Sequence, residues 1–305
     1  MPETGTAQAR STATPPPGRA PERLPTGVAA AIRTPGFPLA IAFGHGSAWV
    51  STHRATTLYR IDPRSNRVEA EIDVGRESCG RIEVTADAVW VVACEDGPSA
   101  RVDPSSNQVV ETTESGALPP VKAGGDLWQV LAGHNILARI DPATMATTAR
   151  IPLGPLPGMP LVAFGAIWIP TTDGIHRIDV HTGKARTVRL GETDTDILLA
   201  RAAGAIWVAN GLDGVLWRVS PQGRAIRTSL QARPPSLFYD IGLAAGRGHL
   251  FLRSGDTRVW EVDPRTETIV ARHHATGAGG HVAIGFGSLW AANAGDDSVW
   301  RIRLR

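Results

Sequence analysis

Apolar and polar positions recur in this chain at two scales. Seven windows carry a small–aromatic–apolar core, centred on Trp49, Trp90, Trp128, Trp168, Trp207, Phe251 and Trp290, with centres roughly forty residues apart. After each aromatic come a short polar turn and a run closing on R-[IV]-D-P or a variant of it. These closures are Arg60–Pro63, Arg101–Pro104, Arg139–Pro142, Arg177–Val180, Arg218–Pro221 and Glu261–Pro264, with RIRL in the last copy. A turn such as PRSN or PSSN follows, and then a run such as RVEAEIDV in which apolar and polar residues alternate. Alternation with a period of two puts the apolar side chains on one face of a β-strand and the polar ones on the other.

Each unit reads as four strands, except that the last, Gly285–Ile302, ends one strand short. Val28–Arg33 resembles the unit's last strand and lies ahead of the first full copy, so it is the candidate for the missing one. The pattern therefore predicts an all-β chain: a seven-bladed β-propeller of four-stranded antiparallel blades, closed by an N-terminal strand that completes the last blade. The aromatics fall on second strands, where a large ring fills the wedge between neighbouring blades and a tryptophan N–H needs a partner.

Composition agrees with this. The 33 glycines and 23 prolines suit many tight turns, and 42% hydrophobic residues in 305 are ample for a core. Residues 1–26 hold Pro, Thr, Ala and Arg with almost no large apolar side chain and read as a disordered tail, leaving 27–305 as one propeller domain. The net charge of +2 is spread along the repeats without a dense basic run, which argues against nucleic acid as a partner. Only Lys122 and Lys184 are lysines, which disfavours Schiff-base chemistry. No apolar run is long enough to cross a bilayer and none near the N-terminus resembles a signal peptide, so the expectation is a monomer in the cytoplasm with no membrane insertion. A start further upstream would instead allow a secreted or cell-envelope sensor domain.

The repeats, with FGSLWAANAGDDSVWRI and AFGHGSAWVSTHRATTLYRIDP as the clearest copies, resemble the streptogramin B lyase type of propeller, a YVTN-like and WD40-like repeat, over residues 28–305. In that family a ring-opening elimination is assigned to a histidine base, a second histidine on the neighbouring blade, and a pair of glutamates with Mg²⁺. The resemblance places His281 at the base's position. The preceding blade has Asp240 instead of histidine, Gly279 stands where the family has one glutamate, and Asn293 stands where the second strand would end on the other. Mg²⁺ is held by charged oxygen ligands, so the expectation is no cofactor, with Mg²⁺ only if the lyase reading holds.

In each blade the turn from strand two to three and the link to the next blade share one face, called here the link face. The residues at the mouths of the innermost strands are Pro38, Cys79, Pro119, Met159, Leu198, Asp240 and His281. Asp240 and His281 lie on adjacent blades and read either as a solvated pair or as an acid/base unit, the carboxylate orienting the imidazole and raising its basicity. The long link Leu230–Leu243 carries Phe238 and Tyr239, and the link before it carries Asp196. Asn210, Arg253 and Asn293 end the second strands of blades five to seven. Together these point to a pocket there, with Tyr239, Phe238, Arg253, Asn210, Asn293 and Asp196 as substrate-binding candidates.

Asp96, Asp173, Asp213, Asp256 and Asp296 occupy turns after the aromatics; three precede glycine, which favours a hairpin-turn role over a Ca²⁺ site. Cys79 and Cys94 lie at one end of one blade, as a disulfide or as two free thiols. Two functions remain open: a binding or scaffold propeller for a small molecule, peptide or glycan, and a lyase or isomerase of a cyclic or lactone-type substrate, with His281 as base.

Overall fold

The computed structural model describes residues 24–53, 55–94, 97–190, 197–210, 215–231, 241–254, 257–276 and 279–304. These form seven four-stranded antiparallel sheets. Blades one to six are built in chain order from innermost to outermost strand, starting at Pro38–Gly44, Ser78–Val84, Val121–Ala123, Leu161–Ala163, Ile197–Ala202 and Ile241–Gly246. Blade seven takes Val282–Gly285, Ser288–Asn293 and Ser298–Arg303 from the end of the chain and Val28–Arg33 from its beginning. The expected closing strand is thus in place, paired from Val28 with Ile302 to Arg33 with Ser298. Among the described residues no helix is long and apolar enough to cross a membrane.

The seven aromatics lie in second strands, and Trp49, Trp128, Trp168, Trp207, Phe251 and Trp290 are fully buried. Five indoles satisfy their N–H on a carbonyl of the adjacent inner strand: Trp49 on Gly44, Trp128 on Ala123, Trp168 on Ala163, Trp207 on Ala202 and Trp290 on Gly285, at 3.0 to 3.2 Å. Inner strands meet so closely that a side chain at Gly285 would stand 2.5 Å from the Phe43 ring of blade one.

The arginine of R-[IV]-D-P faces the aromatic across the sheet, as Trp49 with Arg60 and Trp290 with Arg301. Its guanidinium lies over the indole at 5.0 Å for Arg60, 5.3 Å for Arg139 and Arg301, and 5.6 Å for Arg177. In blades one, four and seven it also reaches a proline carbonyl of the next blade, whereas Arg139 turns to Asp126 of its own blade. Arg60 donates to Pro104 O at 2.7 Å and Asn107 Oδ1 at 2.8 Å in blade two, and Arg301 to Pro63 O and Asn66 Oδ1 in blade one. The aspartate of the motif shapes the receiving turn; Asp62 accepts from the amides of Arg64 and Ser65. The motif is therefore an inter-blade clamp, and Arg60→Leu should lower unfolding free energy by about 2 kcal/mol in urea titrations, through loss of the stack and of bonds to part-buried acceptors.

Blade six departs from this. There the pair is Phe251 with Glu261, and the next blade's third and fourth strands come from opposite ends of the chain, so no turn is present to receive an arginine. Glu261 instead accepts from His249 Nδ1 at 2.6 Å and His273 Nε2 at 2.8 Å.

Candidate functional site

Blade two shapes the centre of the link face. Its inner strand pairs Ser78 with Ala93 and then Arg81 with Val92, which leaves Cys79 and Gly80 as a bulge. Gly80 adopts φ 68°, and any side chain there would stand 2.3 Å from Leu39 Cδ2 of blade one. The bulge sends Cys79 across to pair with His53 of blade one, and it precedes Arg81 and Glu83, two charged residues one strand repeat apart that both line the axial cavity. That cavity, of about 270 Å³, is bounded by inner strands of six blades and brings Arg81, Glu83, Met159, Leu198 and His281 together. Three of the expected mouth residues, Met159, Leu198 and His281, therefore share one space. Arg81 and Glu83 were not among the sequence candidates, although two charges two residues apart in an inner strand, RIE, were a usable signal.

His281 is anchored by its backbone. Its N–H donates to Leu39 O at 2.7 Å across the blade seven–one boundary, and its carbonyl accepts from Ala292 N at 3.0 Å. Its half-buried ring lines the axial cavity, and no described side chain hydrogen-bonds it. Burial, then the positive charges of Arg81 and Arg253, push its pKa down to about 4. A carboxylate partner would act in the opposite direction, as expected of Asp240, which lies outside the described residues. Burial also pushes the Glu83 carboxyl up. Both groups are thus biased toward their neutral forms beside a permanent cation.

A stability effect follows from the depressed pKa. Above pH 6.5 the imidazole is neutral in both folded and unfolded chains. As pH falls from 6.5 towards 4, the unfolded chain takes up a proton that the native imidazole does not. This removes up to about 3 kcal/mol of stability, and the loss is complete below the native pKa. His281→Gln should abolish that component, so urea midpoints of wild type and variant should diverge between pH 7 and 4.5, the wild type losing more.

Arg253 and Asn293 form a clamp between blades six and seven. Arg253 is 1% exposed, and its guanidinium donates to Ala292 O, to Gly280 O at 3.4 Å, to Thr276 O at 2.7 Å and to Asn293 Oδ1 at 3.1 Å. Asn293 is fully buried; its Oδ1 also accepts from Thr276 N at 3.3 Å, and its Nδ2 reaches Ser298 Oγ at 3.5 Å. Mg²⁺ does not fit here. Asn293 offers a neutral oxygen in place of a carboxylate, and that oxygen already receives a guanidinium. Among the described residues, no three His, Cys, Asp or Glu side chains gather so as to hold a metal ion.

Asn210 is fully buried at the end of its strand, opposite Ile197. Asp196, Phe238, Tyr239 and Asp240 lie outside the described residues, as do Asp96, Asp213 and Asp256. Asp173 is used within its own hairpin: Oδ1 accepts from Thr171 Oγ1 at 2.5 Å and His176 Nε2 at 3.1 Å. Burial pushes its carboxyl up, but the bonds from Thr171 and His176 outweigh this and leave it below the usual range. Asp296 is exposed in its own turn. No disulfide joins the two cysteines: Cys94 donates its amide to Glu77 O, and Cys79 is displaced by the bulge.

No protein-family model and no curated protein sequence matches this chain. Solved structures do match. A streptogramin B lyase structure superimposes with a TM-score of 0.68 at 16% identity, covering 88% of this chain and 94% of that one. The virginiamycin B lyase of Staphylococcus aureus gives 0.71 at 13%, covering 90% and 99%. Kuenenia stuttgartiensis hydrazine synthase gives 0.66 at 18%, covering 92% and 99%. At such identities the likeness is one of fold: the chain is a seven-bladed β-propeller of the architecture found in streptogramin B lyase.

Proposed function

We propose that this propeller is a binding or scaffold domain that takes a small molecule, peptide or glycan at its link face. The observation that carries the reading is the axial cavity, where the His281 ring, hydrogen-bonded by no described side chain, faces a space shared with Arg81 and Glu83. Cavities with an apolar wall and a few convergent polar groups are the usual form of a ligand site. Gly279 and Asn293 stand where the streptogramin-lyase pattern has glutamates, which favours binding over that elimination. A thermal-shift screen followed by calorimetry tests this. The expected result is a ligand that raises the melting temperature, is recovered unchanged, and loses at least about tenfold in affinity on His281→Ala. Turnover abolished by that substitution would overturn it.

A second reading, a lyase or isomerase acting on a cyclic or lactone-type substrate, draws on one observation: His281 is neutral at pH 7, the state a general base must start from. In it His281 abstracts the proton and Asp240 orients the ring. The burial and the two arginines that keep the imidazole neutral also weaken it as a base, which ranks this reading second. Unchanged binding and activity in the His281→Ala, Asp240→Ala double variant would end it.

A further inference from the structure

A second cavity, of about 410 Å³, opens on the link face over blades two, three and four. It meets the axial cavity at Arg81, which lines both. Its walls are mainly apolar, with Val92 from blade two, Leu118 from the link into blade three and Leu156 from the link into blade four. Arg81 is the one charged side chain among its described lining residues. Leu156 stands out at the rim: it is 62% exposed and held at φ 51°, in the left-handed region that a leucine rarely occupies. The guanidinium presents five donors in a planar fork, a geometry matched by two carboxylate oxygens and more than one partner can use.

We propose that this cavity is a binding site for a small amphiphilic carboxylate, with its head group on Arg81 and its apolar body against Leu118 and Leu156. The proposal rests on the binding reading in placing a ligand on the link face, but it assigns different residues and the ligand's chemical class. An anion at Arg81 would also lie beside the axial cavity, so occupancy here would partly offset the charge that Arg81 places on His281.

Cys79 lines this cavity and is a free thiol, so it serves as a reporter at the site itself. Iodoacetate and iodoacetamide differ by one charge at nearly equal size, and in both the thiolate displaces iodide to form a carbon–sulfur bond. In the full-length protein, tandem mass spectrometry separates modification of Cys79 from that of Cys94. The expected result is that Arg81→Gln lowers the iodoacetate-to-iodoacetamide rate ratio at Cys79 at least about fivefold, that Arg81→Lys restores part of it, and that His281→Ala leaves it unchanged. Octanoate should protect Cys79 from iodoacetamide in the wild type but not in Arg81→Gln, and octanamide should protect in neither. An unchanged ratio in Arg81→Gln, equal protection by octanamide, or a Cys79 inert even to iodoacetamide would each overturn the proposal. Failure of the axial-site reading would appear separately, as ligands from the screen whose affinity is indifferent to His281→Ala.

Discussion

A chain shortened to begin after Arg33 should melt roughly 10 °C or more below the full-length protein, or lose its cooperative transition, whereas one lacking only residues 1–26 should melt within a degree or two of it. The difference comes from what Val28–Arg33 contributes. It supplies the fourth strand of blade seven, paired along its length with Ser298–Arg303. Val28 and Ile32 are 8% and 5% exposed and pack into the clusters around Trp300 and Val299. Two buried aliphatic side chains are worth about 1.5 to 3 kcal/mol each. Removing the strand also uncovers the edge of Ser298–Arg303 and unseats the link into blade one, where Asp297 accepts from the amides of Gly36 and Phe37 at 3.1 Å. Differential scanning calorimetry on the two truncations is the check, and equal melting temperatures would refute closure by this strand.

Arg253→Leu should cost about 3 to 5 kcal/mol, since it takes the guanidinium from Ala292 O, Thr276 O and Gly280 O and leaves the buried Asn293 carbonyl with Thr276 N as its remaining donor. Arg253→Lys should recover little, because one ammonium cannot span acceptors arranged around a planar fork. Urea titrations of both variants decide this; a loss below about 1 kcal/mol for the leucine variant would show that blades six and seven do not depend on the clamp.

The blade count and the closing strand were legible in the sequence because period-two alternation and one aromatic per unit are local signals repeated seven times. The R-[IV]-D-P motif was visible but its work was not. Arg60 acts on a carbonyl 44 residues away, a distance that only the ring brings to contact. Arg253 and Asn293 were found at strand ends, where a ligand contact was a reasonable expectation, yet nothing in the local sequence tells that Arg253 reaches 40 residues on to Asn293 and spends its donors within the ring. His281 was identified from its position at a strand mouth, and its electrostatics depended on Arg81, a residue two blades away that the Cys79–Gly80 bulge precedes. Bulges are set by backbone conformation, and the only trace of this one in the sequence is a glycine within an otherwise regular strand.

Blades two, six and seven therefore converge on one imidazole, and its protonation reports on all three. Proton–carbon NMR of the histidine ring, titrated from pH 7.5 to the onset of acid unfolding, measures this directly, with His281→Gln identifying the resonance and Arg81→Gln and Arg253→Leu testing the two charges. The structure predicts a His281 midpoint of about 4 in the wild type, rising in each arginine variant. A wild-type midpoint at or above 6.5 would mean a solvated or carboxylate-paired ring and would contradict the arrangement of the link face described above.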